Sequence, residues 1–231
     1  MKKHGKKYKA AAKLLAEKDF FSLTEAIKII KKTSVTKFDS SVEIHIATRA
    51  DQKQADQIIR GIVVLPAGTG KTKKVAVFCD KSKKAEAKKA GADLIGGEEL
   101  IDDISKNKKI DFDIAVATPE IMKNLAKIAK ILGPKGIMPN PKSGTVTLKI
   151  EEAVTEIKKG KVELRADKSG ILHMVFGKAS FSENDLKKNA QVILEKLIEL
   201  KPAKVKGNLI KSISISTSMG PGIFVDPAEI K

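Results

Sequence analysis

The chain has 231 residues, 42% hydrophobic and 4% aromatic, with no tryptophan and a formal net charge of +17 from 45 Lys plus Arg against 28 Asp plus Glu. That is enough apolar material for one large core or two small ones, and it makes a polyanion, nucleic acid first, the expected partner. It excludes an intrachain disulfide, Cys79 being the only cysteine, and a membrane span; the lysine-rich start has no apolar segment of a secretory signal behind it, so a cytoplasmic protein is expected.

In chain order, helical spacing predicts helices over 9–18 and 23–32, the second with Ser22 or Thr24 as cap and Glu25 early in its first turn. Residues 41–48 alternate, with Val42, Ile44 and Ile46 on one face and Glu43, His45 and Ala47 on the other, as in a half-buried antiparallel strand. A second strand is expected over 58–65. After Gly68 the pattern changes to strand 74–80, helix 82–90, strand 93–95, helix 98–106, strand 113–117 and helix 119–132, an alternation that predicts a small parallel sheet. Alternation returns from Lys161, with a hairpin turn at Asp167-Lys168-Ser169-Gly170 and a return strand over 171–176. A long amphipathic helix over 182–200 precedes a last strand over 212–217.

The fold class expected is therefore mixed α/β and α+β in two domains. An antiparallel α+β domain forms from both chain ends, residues 1–67 and 160–231. A Rossmann-like parallel α/β domain, residues 68–159, is inserted between them. The two crossings, near Pro66, Gly68, Gly70 and Lys71 and near Lys159 and Gly160, make a natural hinge. Divided at these crossings, every segment carries excess cation, so charge alone does not locate a binding face.

One stretch of the middle segment stands out. Residues 121–150 contain no carboxylate but carry Lys123, Lys127, Lys130, Lys135, Lys142 and Lys149 around a loop, 131–146, with three prolines and three glycines. Such a loop is shaped rather than flexible, and its lysines suit a phosphate backbone. At the chain ends, Lys37-Phe38-Asp39-Ser40-Ser41-Val42-Glu43 offers a cation, an aromatic ring, hydroxyls and a carboxylate where a strand begins, although Phe38 could equally fill the core. Ser214-Ile215-Ser216-Thr217-Ser218-Met219-Gly220 ends a strand in consecutive hydroxyls, groups suited to 2′-hydroxyl and phosphate contacts on RNA. With so few aromatic residues, recognition would proceed by shape, phosphate and backbone rather than by stacking on an aromatic sheet.

Enzyme chemistry finds little support. Gly68-Thr69-Gly70-Lys71-Thr72 resembles the end of a phosphate-binding loop, but Leu65 stands where the first glycine is required and the segment precedes a strand; Lys71 remains able to touch a nucleic-acid phosphate. Gly91-Ala92-Asp93 and Gly96-Gly97 lack dinucleotide-fingerprint spacing. Glu98, Glu99, Asp102 and Asp103 make a solvated helix face, and Cys79 lies in an apolar run as a core thiol. His4, His45 and His173 share no ligand spacing, so no metal site, cofactor or catalytic set is expected. The remaining alternatives are a generic basic nucleic-acid binder and, far behind, a nucleotide-hydrolysing enzyme.

The chain also resembles a known family, the large-subunit ribosomal protein L-one family in its bacterial form, over essentially its whole length. The resemblance is carried by Lys3-His4-Gly5-Lys6, Lys37-Phe38-Asp39 with Val42-Glu43, Gln57-Ile58-Ile59-Arg60-Gly61, Leu65-Pro66 with Gly70-Lys71, and Ala90-Gly91-Ala92-Asp93 before Gly96-Gly97-Glu98-Glu99. It continues through Asp111-Phe112-Asp113, Ala117-Thr118-Pro119, residues 132–146, Gly177-Lys178-Ala179-Ser180-Phe181 and Ser218-Met219-Gly220-Pro221. It implies a two-domain, non-catalytic protein, monomeric off the ribosome, that binds large-subunit rRNA among other large-subunit components. The implied roles are to form the mobile stalk beside the tRNA exit site, to assist release of deacylated tRNA, and to repress translation by binding its own operon mRNA. Carried onto this sequence, the primary RNA surface comprises Lys37, Phe38, Ser41, Glu43, Lys168, Ser212, Ser216, Thr217, Ser218, Met219 and Gly220. Lys71 and the lysines from Lys123 to Lys142 are assigned a secondary, weaker contact. The family often has threonine where this chain has Ser218, and Asp-Pro-Arg where it has Ala50-Asp51-Gln52; the first change keeps the hydroxyl, and the second puts that loop's contribution in doubt.

Overall fold

In a computed structural model, residues 5–15, 18–80 and 83–229 are described. The chain divides into two compact units, residues 1–70 with 163–231, and residues 71–162.

The first unit opens with α1 (Lys6–Lys13) and α2 (Leu23–Lys32). The first helix starts three residues before the expected one, and positions 16 and 17 of the expected range lie outside the described residues. Ser22, not Thr24, caps α2 in a reciprocal capping box with Glu25, which satisfies two amide donors that the helix start would otherwise leave free. The box holds the Glu25 carboxyl below its ordinary value, chiefly through the Ser22 amide and then through Lys18. Leu23, Ala26, Ile27 and Ile30 are its buried stripe.

Four strands form the main sheet in the order β7-β1-β8-β9: β1 (Ser41–Thr48), β7 (Ile171–Lys178), β8 (Ile210–Thr217) and β9 (Ile223–Val225). All three pairings are antiparallel. The alternation of β1 and β8 puts Val42, Ile44, Ile46, Ile213 and Ile215 at 1% exposure or less on one face. Burying each side chain of this size contributes about 1.5–3 kcal/mol, and a one-residue slip would expose the whole set, so the register is strongly fixed. The α2 helix and α8 (Glu183–Glu199) pack together over this unit, α8 against β7 and α2 against β8 and β9. Within α8 the buried Asn189 accepts from Ala67 N (3.1 Å) and donates to Gly68 O (3.0 Å) and Phe176 O (2.8 Å). Segment 67–68 is thereby fastened to the body of the first unit.

The expected hairpin at 167–170 forms its turn but not its ladder. The β6 strand (Lys161–Arg165) pairs with β2 (Arg60–Val64) in a separate two-stranded sheet, and only an Ala166–Leu172 bridge links it to β7. The physical reason is Gly170. Its carbonyl accepts from Thr48 N and Thr48 Oγ1 (3.0 and 2.6 Å), and a Cβ there would lie 2.8 Å from Ala50 O, so the chain enters the main sheet beside β1.

In the second unit, β3 (Val75–Phe78) is flanked by β4 (Leu94–Gly96) and β5 (Ile114–Ala117), both parallel to it. All four β3 residues are buried, which accounts for its unbroken apolar run. One face is covered by α4 (Glu98–Asn107), α5 (Met122–Leu125) and α6 (Ala129–Leu132). The other is covered by α3 (Lys84–Lys89) and α7 (Ile150–Lys159). The helix expected from Ser82 begins at Lys84, and Ser82 itself lies outside the described residues.

The helix expected over 119–132 is broken into α5, a tightened 3-10 turn at Ala126–Ile128, and α6. The breaks leave Ile121, Leu125, Ile128 and Leu132 together in the core. The α7 helix was not anticipated, although Ile150, Ala153, Val154 and Ile157 have helical spacing and Gly160 ends the helix in the left-handed region (φ 109°). Strand β9, three residues long, was not anticipated either.

Candidate nucleic-acid interface

The polar face of the main sheet is set by register. Glu43 lies opposite Ser216, His45 opposite Ser214 and Ala47 opposite Ser212 across β1 and β8. Across β1 and β7, His45 lies opposite His173. The strand that buries Ile44 and Ile46 therefore displays Glu43 and His45, and β8 adds a row of three serines.

At one end of this face two candidate segments are joined. Ser218 N donates to Ser41 O (3.1 Å), and Gly220 N donates to Thr217 O (2.9 Å) to close a turn over 217–220. Met219 holds φ 65° in that turn and is 77% exposed. A non-glycine residue in this region is costly, and the cost is commonly retained where a side chain must be displayed. Thr217 is buried, and its Oγ1 has no hydrogen-bond partner among the described residues, a condition that costs about 1–3 kcal/mol. A Cβ on Gly220 would lie 2.2 Å from that oxygen.

Segment 34–41 is equally well held. Asp39 accepts from Ser180 N (3.0 Å) and Ser180 Oγ (2.8 Å), Ser34 and Ser40 share a hydrogen bond at 2.9 Å, and Lys178 Nζ donates to Ser41 Oγ (3.1 Å). Phe38 is 62% exposed on this rigid base, so it does not fill the core. Lys37 is exposed beside it.

Lys168 is not part of this end. It lines an open cleft with Thr48, Arg49, Asp51, Gln52 and Lys211 at the other end of β1, about 23 Å from Ser41 at the usual strand rise. The neighbouring loop is tied up in its own contacts: Asp51 Oδ1 accepts from Lys53 N (3.0 Å), and the Gln52 side chain bonds to Gln57 O and Ile59 N.

In the second unit, Lys71, Lys123, Lys127, Lys130, Lys135, Lys142 and Lys149 are all exposed. Lys71 faces Asp113 at 3.7 Å, and Lys149 pairs with Glu152 at 3.0 Å. The 133–146 loop is shaped from within. Asn140 Oδ1 accepts from Lys142 N (2.8 Å), Thr145 Oγ1 accepts from Asn140 N (2.8 Å), and backbone bonds at Thr145 and Thr147 dock the loop's end against Ala117. Segment 68–72 leads into β3 and opens no helix, unlike a nucleotide-phosphate loop. Cys79 is buried, and desolvation pushes its thiol up. Among the described residues, no three His, Cys, Asp or Glu side chains are grouped to hold a metal ion, and no helix is long and apolar enough to cross a membrane.

Residues 30–221 match the Ribosomal protein L1p/L10e family. The chain is 50% identical over 230 residues to the large ribosomal subunit protein uL1 of Thermosipho africanus, covering 100% of this chain and 99% of that protein. It is 53% identical over 226 residues to the uL1 protein of Mesoplasma florum, covering 98% and 99% of the two chains. The chain belongs to the ribosomal protein L1 family.

Members of the L1 family are structural proteins of the ribosome, not enzymes, which fits the hydroxyl-rich face better than any catalytic arrangement. In this L1-family chain, His45 and His173 share no ligand spacing in the sequence and are not expected at a site, yet the fold brings them together. Their Nδ1 atoms approach to 2.9 Å in the middle of the polar face. The residues are 128 positions apart, and only the β1–β7 register brings them together. The alternation of β1 placed His45 on the polar face, but nothing in the local sequence named its partner. Burial first, and the neighbouring His173 second, pull the His45 imidazole below its ordinary value, while Glu43 opposes them.

Proposed function

We propose that this protein is a structural component of the large ribosomal subunit that binds rRNA directly through its first unit. The observation that carries the reading is the Ser41–Ser218 junction, which combines the displayed Phe38 and Met219, the hydroxyls of Ser216 and Ser218 and the Glu43 carboxylate on one hydrogen-bonded support, over the buried Thr217 hydroxyl, which has no partner among the described residues. A carboxylate on an RNA surface accepts from a base amino group or a 2′-hydroxyl and penalises a partner that offers neither. Lys37, Ser212 and Gly220 extend this primary surface. Lys168 makes a separate backbone contact from the far cleft.

The two units are read as domains. The first, from both chain ends, is the RNA-binding α+β domain, and the second is a Rossmann-like α/β insertion spanning about residues 68–159. Because Asn189 holds Ala67 and Gly68, bending at the first crossing starts at Gly70 and Lys71 rather than at Pro66. Lys159 and Gly160, at the end of α7, mark the second crossing. A swivelling insertion suits the mobile stalk beside the tRNA exit site, where Lys71, Lys123, Lys127, Lys130, Lys135 and Lys142 would touch rRNA or a departing deacylated tRNA. The same primary surface would recognise a mimic of the rRNA site on the protein's own operon mRNA and repress translation. Off the ribosome the protein is monomeric, needs no cofactor or metal to bind RNA, and works in the cytoplasm.

Hydroxyl-radical footprinting on large-subunit rRNA, with the operon mRNA leader as competitor, tests the reading. The expected result is one compact protected element that the leader removes. Diffuse protection throughout the rRNA, insensitive to the leader, would overturn it.

A further inference from the structure

The polar face of the main sheet carries an arrangement that RNA binding does not account for. His45 and His173 are directly opposed on β1 and β7, with Nδ1 facing Nδ1 at 2.9 Å and the rings inclined by 61°. Their outer nitrogens both face acceptors. His45 Nε2 lies 3.2 Å from Ser216 Oγ and 3.8 Å from Glu43 Oε2, and His173 Nε2 lies 3.8 Å from Asp167 Oδ2. The side chains are 28% and 55% exposed, so solvent and ions reach them.

We infer that His45 and His173 form a two-point chelate for a divalent transition ion, Cu2+ in first place, through their facing Nδ1 atoms. Two metal–imidazole bonds of about 2.0–2.1 Å meeting at a right angle separate the nitrogens by about 2.9 Å, whereas a tetrahedral angle separates them by about 3.3–3.4 Å. The observed spacing, which is that of the hydrogen bond between the two rings, is already close to that of two neighbouring corners of a tetragonal site, the geometry of Cu2+ and Ni2+, so a small swing of the rings suffices to take the ion. The outer acceptors match as well. A metal-bound imidazole donates its remaining N–H to a carboxylate or other oxygen, which fixes tautomer and ring orientation; Ser216 with Glu43, and Asp167, are placed for these roles.

Without metal, one facing nitrogen donates its proton to the other. On chelation that ring carries its proton on Nε2 instead, both Nδ1 lone pairs turn to the ion with a small swing of the rings, and water fills the remaining corners. Proton number is unchanged when both rings start neutral. Two protein ligands without a third make the site weaker than a structural metal centre and leave it exchangeable.

The test is titration of the untagged, full-length chain with Cu2+ in a non-coordinating buffer, followed by visible absorption and electron paramagnetic resonance. The chain's third histidine, His4, sits close to the amino terminus, a competing copper ligand, so a His4→Gln variant is essential. The expected result is one site with two imidazole nitrogens coupled to copper, retained in His4→Gln and weakened at least 10-fold in both His45→Gln and His173→Gln. Thermal melts check that each variant folds, and the exposed His173 carries the test alone if His45→Gln does not. Copper binding unchanged in His173→Gln, or abolished by His4→Gln alone, would overturn the inference.

Discussion

The Ser41–Ser218 end of the first unit and the 133–146 loop of the second are both held by internal hydrogen bonds, yet they spend their polar groups differently. In the loop, Asn140, Ser143 and Thr145 satisfy one another, and what remains for a partner is a set of exposed lysine ammoniums. At the sheet end, side chains are held on display instead: Met219 is kept in a costly conformation and Phe38 stands exposed on a hydrogen-bonded base, beside the buried Thr217 hydroxyl, which has no partner among the described residues. Lysines attract any phosphate chain, whereas fixed, displayed side chains reward only a partner of matching shape. On the proposed reading, the first region specifies and the second attracts.

The sharpest way to break this contrast is at Gly220. In Gly220→Val, the new side chain displaces the Thr217 hydroxyl; affinity for the cognate rRNA fragment is expected to fall about 100-fold, or about 2.7 kcal/mol, in a filter-binding assay. An unchanged affinity would show that the turn does not specify. Next, Asn189→Ala removes three bonds that hold segment 67–68 and Phe176, and denaturant unfolding should show a loss of about 2–3 kcal/mol. The RNA affinity of this variant should fall only if folding is lost.

Smaller effects separate display from packing. Because Phe38 is exposed, Phe38→Ala should change stability by no more than about 0.5 kcal/mol while weakening cognate RNA about 10-fold, or about 1.4 kcal/mol; a stability loss matching the affinity loss would return Phe38 to the core. Smallest of all, Lys123→Ala, Lys127→Ala and Lys130→Ala combined should weaken cognate and scrambled RNA alike by a few-fold. The same variant should flatten the salt dependence by about 0.7–0.9 per phosphate contact removed.

Legibility in the sequence followed the range of the interactions. The β1 alternation, the Ser22 cap and the continuous apolar run of β3 were readable because each depends on neighbours in the chain. The apolar spacing of 119–132 reads as one helix because it survives the 3-10 turn that interrupts it. The β6–β7 ladder expected from the sequence does not form because the destination of β6 is set by contacts with β2 and by Gly170 against β1. At the candidate site, the hydroxyl run and the Phe38 segment could be singled out locally, but their union through Ser41 and Ser218 is a tertiary fact, and the His45–His173 pair more so. The lysine-rich loop, being local, was the easiest feature to see, and its charge says least about specificity.

The most direct test is affinity for the stalk element of large-subunit rRNA against a scrambled RNA of equal length, across a salt series, for the intact protein and a Thr217→Val, Met219→Ala variant. The account predicts binding that favours the stalk element at every salt concentration and a preference that collapses in the variant, whose fold is kept or slightly stabilised because the buried Thr217 hydroxyl, without a partner among the described residues, is gone. Equal binding to both RNAs, lost steeply with salt and untouched by the substitutions, would contradict it.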